Sequence, residues 1–218
     1  YELSAKQNDK IDGLTNLQSD ALNKIGNMYA CGKGIAQDYA IAKKYYELSA
    51  KQNNSCALLN LGKLYYNGYG VKKDLSKAMQ YYQLSANQNN PDALYDMANF
   101  YRFGCGMKQD FIKFKEYLIK AVQLNNPLAQ LMLGNLYFNG ELVEQNYVTA
   151  RKYYELSAQS KYHKAYFKLG SIYFLGKGVE QNYRIAKKYW EISAAQNDSN
   201  AFYCLGLLYS EGLGVQKN

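Results

Sequence analysis

Ala57-Leu58-Leu59-Asn60-Leu61-Gly62-Lys63-Leu64-Tyr65-Tyr66-Asn67-Gly68-Tyr69-Gly70-Val71 is the stretch that decides the fold. Ala57, Leu58, Leu61 and Tyr65 recur at helical spacing and put one apolar stripe on one face. Gly62 sits on that stripe although glycine costs about 1 kcal/mol in a helix interior, which points to close packing by another helix. Gly68 and Gly70 then end the helix in left-handed backbone, and Val71 tucks toward the core.

Read outward, the pattern repeats every 36 residues without insertion from Ala21 through Ala57, Ala93, Ala129 and Ala165 to Ala201. Eight residues after each alanine stands Tyr29, Tyr65, Tyr101, Tyr137, Tyr173 or Tyr209, and eleven after it Gly32, Gly68, Gly104, Gly140, Gly176 or Gly212. This first segment is helix A. A second, helix B, starts at caps such as Asp38, Asp74 and Asp110 and runs through Ala42, Tyr45, Tyr46 and Leu48 at helical spacing. On its outer face Lys43 and Glu47, Arg151 and Glu155, and Lys187 and Glu191 are spaced for i,i+4 ion pairs. Pro91 and Pro127 fall where the next helix A begins, where a missing N–H is harmless.

The fold class expected is all-α, an α-solenoid of stacked antiparallel helix pairs. Its repeats span 21–56, 57–92, 93–128, 129–164 and 165–200, with a partial sixth over 201–218. Residues 1–8 repeat Tyr46 to Asn53 and read as the end of a preceding helix B, so residues 1–20 are expected to hold that end plus a longer connection. Because Tyr1 already lies inside the pattern, the chain reads as cut from something longer. The third repeat departs most, with Ala98 for the glycine and Phe114 for the helix B alanine, while Leu142 replaces a turn glycine in the fourth. Tyr29, Tyr65, Tyr101, Tyr137 and Tyr173 are expected to bury their rings and hold their hydroxyls to the following turn.

These residues resemble the Sel-1-like repeat, a relative of the tetratricopeptide repeat, whose pattern A-x3-L-G-x2-Y-x2-G-x-G-V then D-x3-A is met by Ala57 to Val71, Asp74 and Ala78. The resemblance covers residues 21–218. It implies a protein-interaction scaffold or adaptor, with family roles in quality control, cell-wall or signalling assemblies and host interaction. Some relatives carry hydrolase labels, and some bacterial ones join helices A and B of a repeat by disulfides. Here no residue carries the hydrolase chemistry over, and Cys31, Cys56, Cys105 and Cys204 lack the disulfide spacing. Four free thiols lean toward a reducing, cytoplasmic setting without establishing the compartment.

Chemistry is sparse. There is no G-x-S-x-G, S-x-x-K, H-E-x-x-H or G-x-x-x-x-G-K-[ST], the cysteines show no C-x-x-C, and one histidine, His163, cannot complete a metal cluster. No catalytic residue, metal or cofactor is therefore assigned. The Gly-Lys-Gly runs at 32–34 and 176–178 follow helices rather than strands, which removes the context of a phosphate loop. Asn53-Asn54-Ser55 and Asn197-Asp198-Ser199 match the glycosylation pattern but read as accidents of an asparagine-rich chain. No apolar run approaches the roughly 18 to 20 residues of a membrane-spanning helix, so no membrane partner is assigned.

The formal charge of +8 offers an alternative, an anionic partner such as nucleic acid or acidic membrane along Lys33, Lys72, Lys73, Lys108, Lys177 and Lys217. The arginines Arg102, Arg151 and Arg184 are few among 26 basic residues, which argues against base readout. The leading expectation is a non-catalytic scaffold that binds a peptide or partner protein along the concave face, where helix A turns away from its own helix B. Asn27, Lys63, Asn99 and Asn135 share one position on that face; Tyr66, Arg102, Phe138 and Phe174 share a second; Tyr95 and Phe167 share a third. Asparagine can both donate to and accept from a peptide backbone, and the rings supply contact area.

Overall fold

The computed structural model describes the backbone of residues 2–216 and the side chains of residues 17–216. Among the described residues the chain is all-helical, in consecutive antiparallel pairs. The A helices are α1 (Glu2–Cys31), α3 (Ser55–Asn67), α5 (Pro91–Phe103), α7 (Pro127–Asn139), α9 (His163–Leu175) and α11 (Ser199–Glu211). The B helices are α2 (Tyr39–Ala50), α4 (Leu75–Ala86), α6 (Phe111–Gln123), α8 (Tyr147–Gln159) and α10 (Tyr183–Ala194). This is the α-solenoid class read from the repeat. One difference concerns the start: where a connection was expected within residues 9–20, the backbone forms a single helix from Glu2 to Cys31. The chain divides into two compact units, residues 1–120 and 121–218.

Capping explains where the helices begin. Asp38 and Asp74 accept from the Ile41 and Lys77 N–H groups at 2.9 Å, and Asn146 and Asn182 do the same for Thr149 and Ile185. Pro91 and Pro127 occupy the first turns of α5 and α7. Asparagines manage the return from helix B to helix A. Asn53, Asn89 and Asn125 adopt left-handed φ of 57 to 59°, and Asn54, Asn90 and Asn126 beside them cap the next helix. Asn53 and Asn197, the glycosylation-like positions, are thus αL turn residues. Leu142, at φ 61°, takes a left-handed turn position that glycine holds at Gly70 and Gly178.

Packing within a repeat centres on one close contact. A Cβ added to Gly26 or Gly62 would lie 2.5 Å from the ring of Tyr46 or Tyr82, and one added to Gly134 would lie 2.6 Å from Tyr154. At Gly170 the ring is Trp190, at 2.4 Å. These rings are at most 3% exposed, so α2, α4, α8 and α10 each insert an aromatic against a bare stretch of A helix backbone. Repeat three redistributes the same volume. Ala98 stands for the glycine, Leu118 for the ring, and Phe114 fills the site that alanine holds elsewhere, all three fully buried.

The repeating tyrosines behave differently from expectation. Tyr29, Tyr65, Tyr101, Tyr137 and Tyr173 stack on Tyr45, Tyr81, Tyr117, Tyr153 and Tyr189 with centroids 5.5 to 5.9 Å apart. Tyr101 is buried and the others half-buried. It is their backbone carbonyls that hold the following turn, accepting from the N–H of Asp38, Asp74, Asp110, Asn146 and Asn182 at 2.9 to 3.0 Å. A buried serine ties helix B to helix A in every pair but α5/α6, where Ala121 holds its position. The hydroxyls of Ser49 and Ser85 donate to the Ser19 and Ser55 carbonyls at 2.7 Å, and those of Ser157 and Ser193 donate to Pro127 and His163.

Gly170→Ala is expected to destabilise the chain by about 1 to 3 kcal/mol, because overpacking against Trp190 outweighs the helix propensity gained. Urea denaturation checks this; unchanged or increased stability would contradict the contact.

Candidate functional site: the A helix face

Within residues 1–120, Asn27 accepts from the Tyr46 hydroxyl at 2.8 Å and from the Asn60 amide of the next A helix at 3.0 Å. Asn60 also donates to buried Asn23. Burial pushes the Tyr46 phenol up to about 12, so it stays a donor across the physiological range. One repeat on, Lys63 is exposed and faces Asp96. Tyr66 tilts against Phe100 with centroids 5.5 Å apart, and the Lys73 ammonium lies 5.7 Å from the Tyr66 ring. Tyr95 and Asn99 are half-buried. The Arg102 guanidinium lies 5.5 Å from the Phe114 ring and 5.6 Å from that of Phe103.

Within residues 121–218, Asn135 accepts from the Tyr154 hydroxyl at 2.8 Å, repeating the Asn27 arrangement. Phe138 meets Tyr147 edge-on at 5.3 Å, and Phe174 packs on Tyr183 and Trp190 at 5.4 and 5.3 Å. Their carbonyls accept from Gln145 and Gln181 at 3.0 and 2.7 Å. The Trp190 indole N–H donates to the Phe167 carbonyl at 3.1 Å. Phe138, Phe167 and Phe174 thus share their area with the B helices, while Asn27 and Asn135 present amides whose oxygens are already engaged.

Asp96 was not picked out by sequence. It occupies the A helix position of Asn60 one repeat later, and Lys63 holds the position of Asn27, so residues of opposite charge stand where Asn27 and Asn60 are hydrogen-bonded. That offset relation was the available signal. Burial pushes the Asp96 carboxyl up to about 6, with Lys63 pulling the other way and Asp92 adding to the rise. Among the other positively charged candidates, Lys177 lies 5.0 Å from the Tyr147 ring. Lys217 is outside the described residues. The four cysteines are free, Cys31 and Cys56 exposed and Cys105 and Cys204 half-buried. His163 opens α9 beside the Tyr162 ring, 5.3 Å away.

The Sel1 repeat model matches residues 19–54, 57–90, 91–126, 127–162, 163–198 and 201–218, and the chain belongs to the Sel1 repeat family. Members of this family commonly act as protein-interaction scaffolds. A search of curated proteins finds no match. Among solved structures, a Sel1 repeat protein from Oxalobacter formigenes is 31% identical, with 92% of this chain and 82% of that one covered and a TM-score of 0.84. The uropathogenic Escherichia coli protein c5321, described as a protective antigen with this fold, is 31% identical over 92% of this chain and 43% of its own, with a TM-score of 0.75. The Pseudomonas aeruginosa immunity protein Pa5087 is 26% identical over 92% and 73%, with a TM-score of 0.65.

Asp96 has a defined consequence for pH dependence. Its folded carboxyl keeps a proton to about pH 6 against an ordinary 3.8, so the folded state binds more protons between those values. Its contribution is fully present below the lower value and is lost as pH rises through the higher. Relative to Asp96→Asn, the natural chain is expected to lose at most about 3 kcal/mol between pH 4 and 7 in urea denaturation. Parallel pH profiles for the two proteins would contradict the burial of this carboxyl.

Proposed function

We propose that the chain is a non-catalytic scaffold that holds an extended segment of a partner protein on its A helix face. The observation that carries this reading is the recurrence of an oriented amide, Asn27 on Tyr46 and Asn135 on Tyr154, at one repeat position in each unit. Each amide oxygen is held by a phenol, which orients the group and leaves its NH2 as a donor for a peptide carbonyl. Half-buried Tyr66 in one unit and Phe138, Phe167 and Phe174 in the other offer ring edges already fixed by packing, which lowers the entropy lost on binding. Family membership supports the class of function, and the residues support the face.

The test is affinity capture with the intact array against a charge-matched helical control. The reading expects a protein enriched by the natural chain and weakened about 5- to 100-fold by Asn27→Ala or by Asn135→Ala, the loss of one or two polar contacts. Each variant is expected to remain folded, losing about 1 to 3 kcal/mol because the Tyr46 or the Tyr154 hydroxyl is left unpaired. Enrichment no greater than the control's would overturn the reading.

A further inference from the structure

In the first unit, the B helices α2 and α4 flank an open groove of about 750 Å³. Leu58 and Leu61 of α3 form its floor, Ala50 and Tyr81 its walls, and Leu48, 45% exposed, its lip. The volume lies within the range of ligand-sized clefts. The same positions recur in the second unit as Ala158, Tyr166 and Tyr189 between α8 and α10. There Tyr166 takes the place of Leu58, stands 6.4 Å from Tyr189 between ring centroids, and donates its hydroxyl to the Ala158 carbonyl at 2.8 Å. Ala158 is buried, whereas Ala50 is half-buried. The second unit therefore supplies from its own chain the phenol that the first unit lacks.

The rim selects for charge. Glu47 is paired with Lys43 at 2.6 Å, so its carboxylate is offset locally, whereas the flanking Lys44 and Lys51 are exposed. An apolar groove at the position where Tyr166 packs its ring in the second unit, edged here by two lysines, fits an aromatic residue between carboxylates.

We infer that the groove between α2 and α4 docks an acidic segment of a partner protein through a tyrosine that takes the place Tyr166 occupies in the second unit. The Ala50 carbonyl, which already accepts from the Asn53 N–H at 2.9 Å, keeps a lone pair for the incoming hydroxyl, as the Ala158 carbonyl accepts both Lys161 N–H and Tyr166. This site is independent of the A helix face, so either can fail while the other stands.

The test uses the whole chain and the peptide acetyl-Glu-Asp-Glu-Tyr-Glu-Asp-amide, titrated at physiological salt and followed by amide chemical shifts. The expected result is perturbation centred on Leu48, Ala50, Leu58 and Tyr81, with the dissociation constant rising at least tenfold when the peptide tyrosine becomes serine. Leu58→Tyr, which fills the groove from within as Tyr166 does, is expected to weaken binding at least fivefold. Lys44→Glu with Lys51→Glu alters exposed positions, leaves the fold intact and is expected to weaken it at least tenfold. Shifts scattered over the lysine surface, or affinity insensitive to the peptide tyrosine and to the charge-reversal pair, overturn the proposal.

Discussion

In each regular repeat, an aromatic ring of helix B occupies the space that a Cβ on helix A would need. Trp190 approaches Gly170 to within 2.4 Å of that missing atom, and Tyr82 approaches Gly62 to 2.5 Å. A helix interior glycine forfeits about 1 kcal/mol of propensity, and burial of a large ring returns more than that. The close approach then sets what surrounds it. It brings the Tyr46 and Tyr154 hydroxyls within reach of Asn27 and Asn135, and it aligns the outer tyrosines of the two helices into stacked pairs such as Tyr65 and Tyr81. It also lets a serine near the end of helix B reach a carbonyl at the start of helix A, as Ser85 reaches Ser55 and Ser157 reaches Pro127.

Much of this was written in the spacing. The 36-residue period, the glycine on the apolar stripe and the capping aspartates are local signals, and the helices follow them closely. Contacts that join positions distant in the repeat were harder to read. Gly62 indicated a close partner but could not name Tyr82, because Tyr81 and Tyr82 are adjacent in sequence and helical phase alone decides which points inward. Ser49, Ser85, Ser157 and Ser193 recur just as regularly, yet a serine on a mostly apolar face has no local signature of its carbonyl partner. For the repeating tyrosines a hydroxyl bond was expected; the carbonyl made it because the helix end leaves carbonyls unsatisfied.

For the candidate face, sequence located the positions and structure supplied their second occupation. Asn27 and Asn135 were chosen as peptide-binding amides, and each also closes the hydrogen bonding of a buried phenol. Phe138 and Phe174 were chosen as ring contacts and also pack on Tyr147, Tyr183 and Trp190. In a solenoid each repeat buries its face only against its neighbours, so few side chains serve recognition alone. The substitution of Lys63 and Asp96 for Asn27 and Asn60 varies the chemistry of that face without disturbing the frame beneath it.

The third repeat shows how the central contact can be exchanged: alanine for glycine, leucine for the ring, both fully buried. The most direct measurement is a double-mutant cycle that transfers this pair to the second repeat, with Gly62→Ala, Tyr82→Leu and the two combined, followed by urea denaturation. If the ring against bare backbone governs the packing, each single change destabilises and the combined variant loses at least about 1 kcal/mol less than their sum. Additive losses would contradict the account.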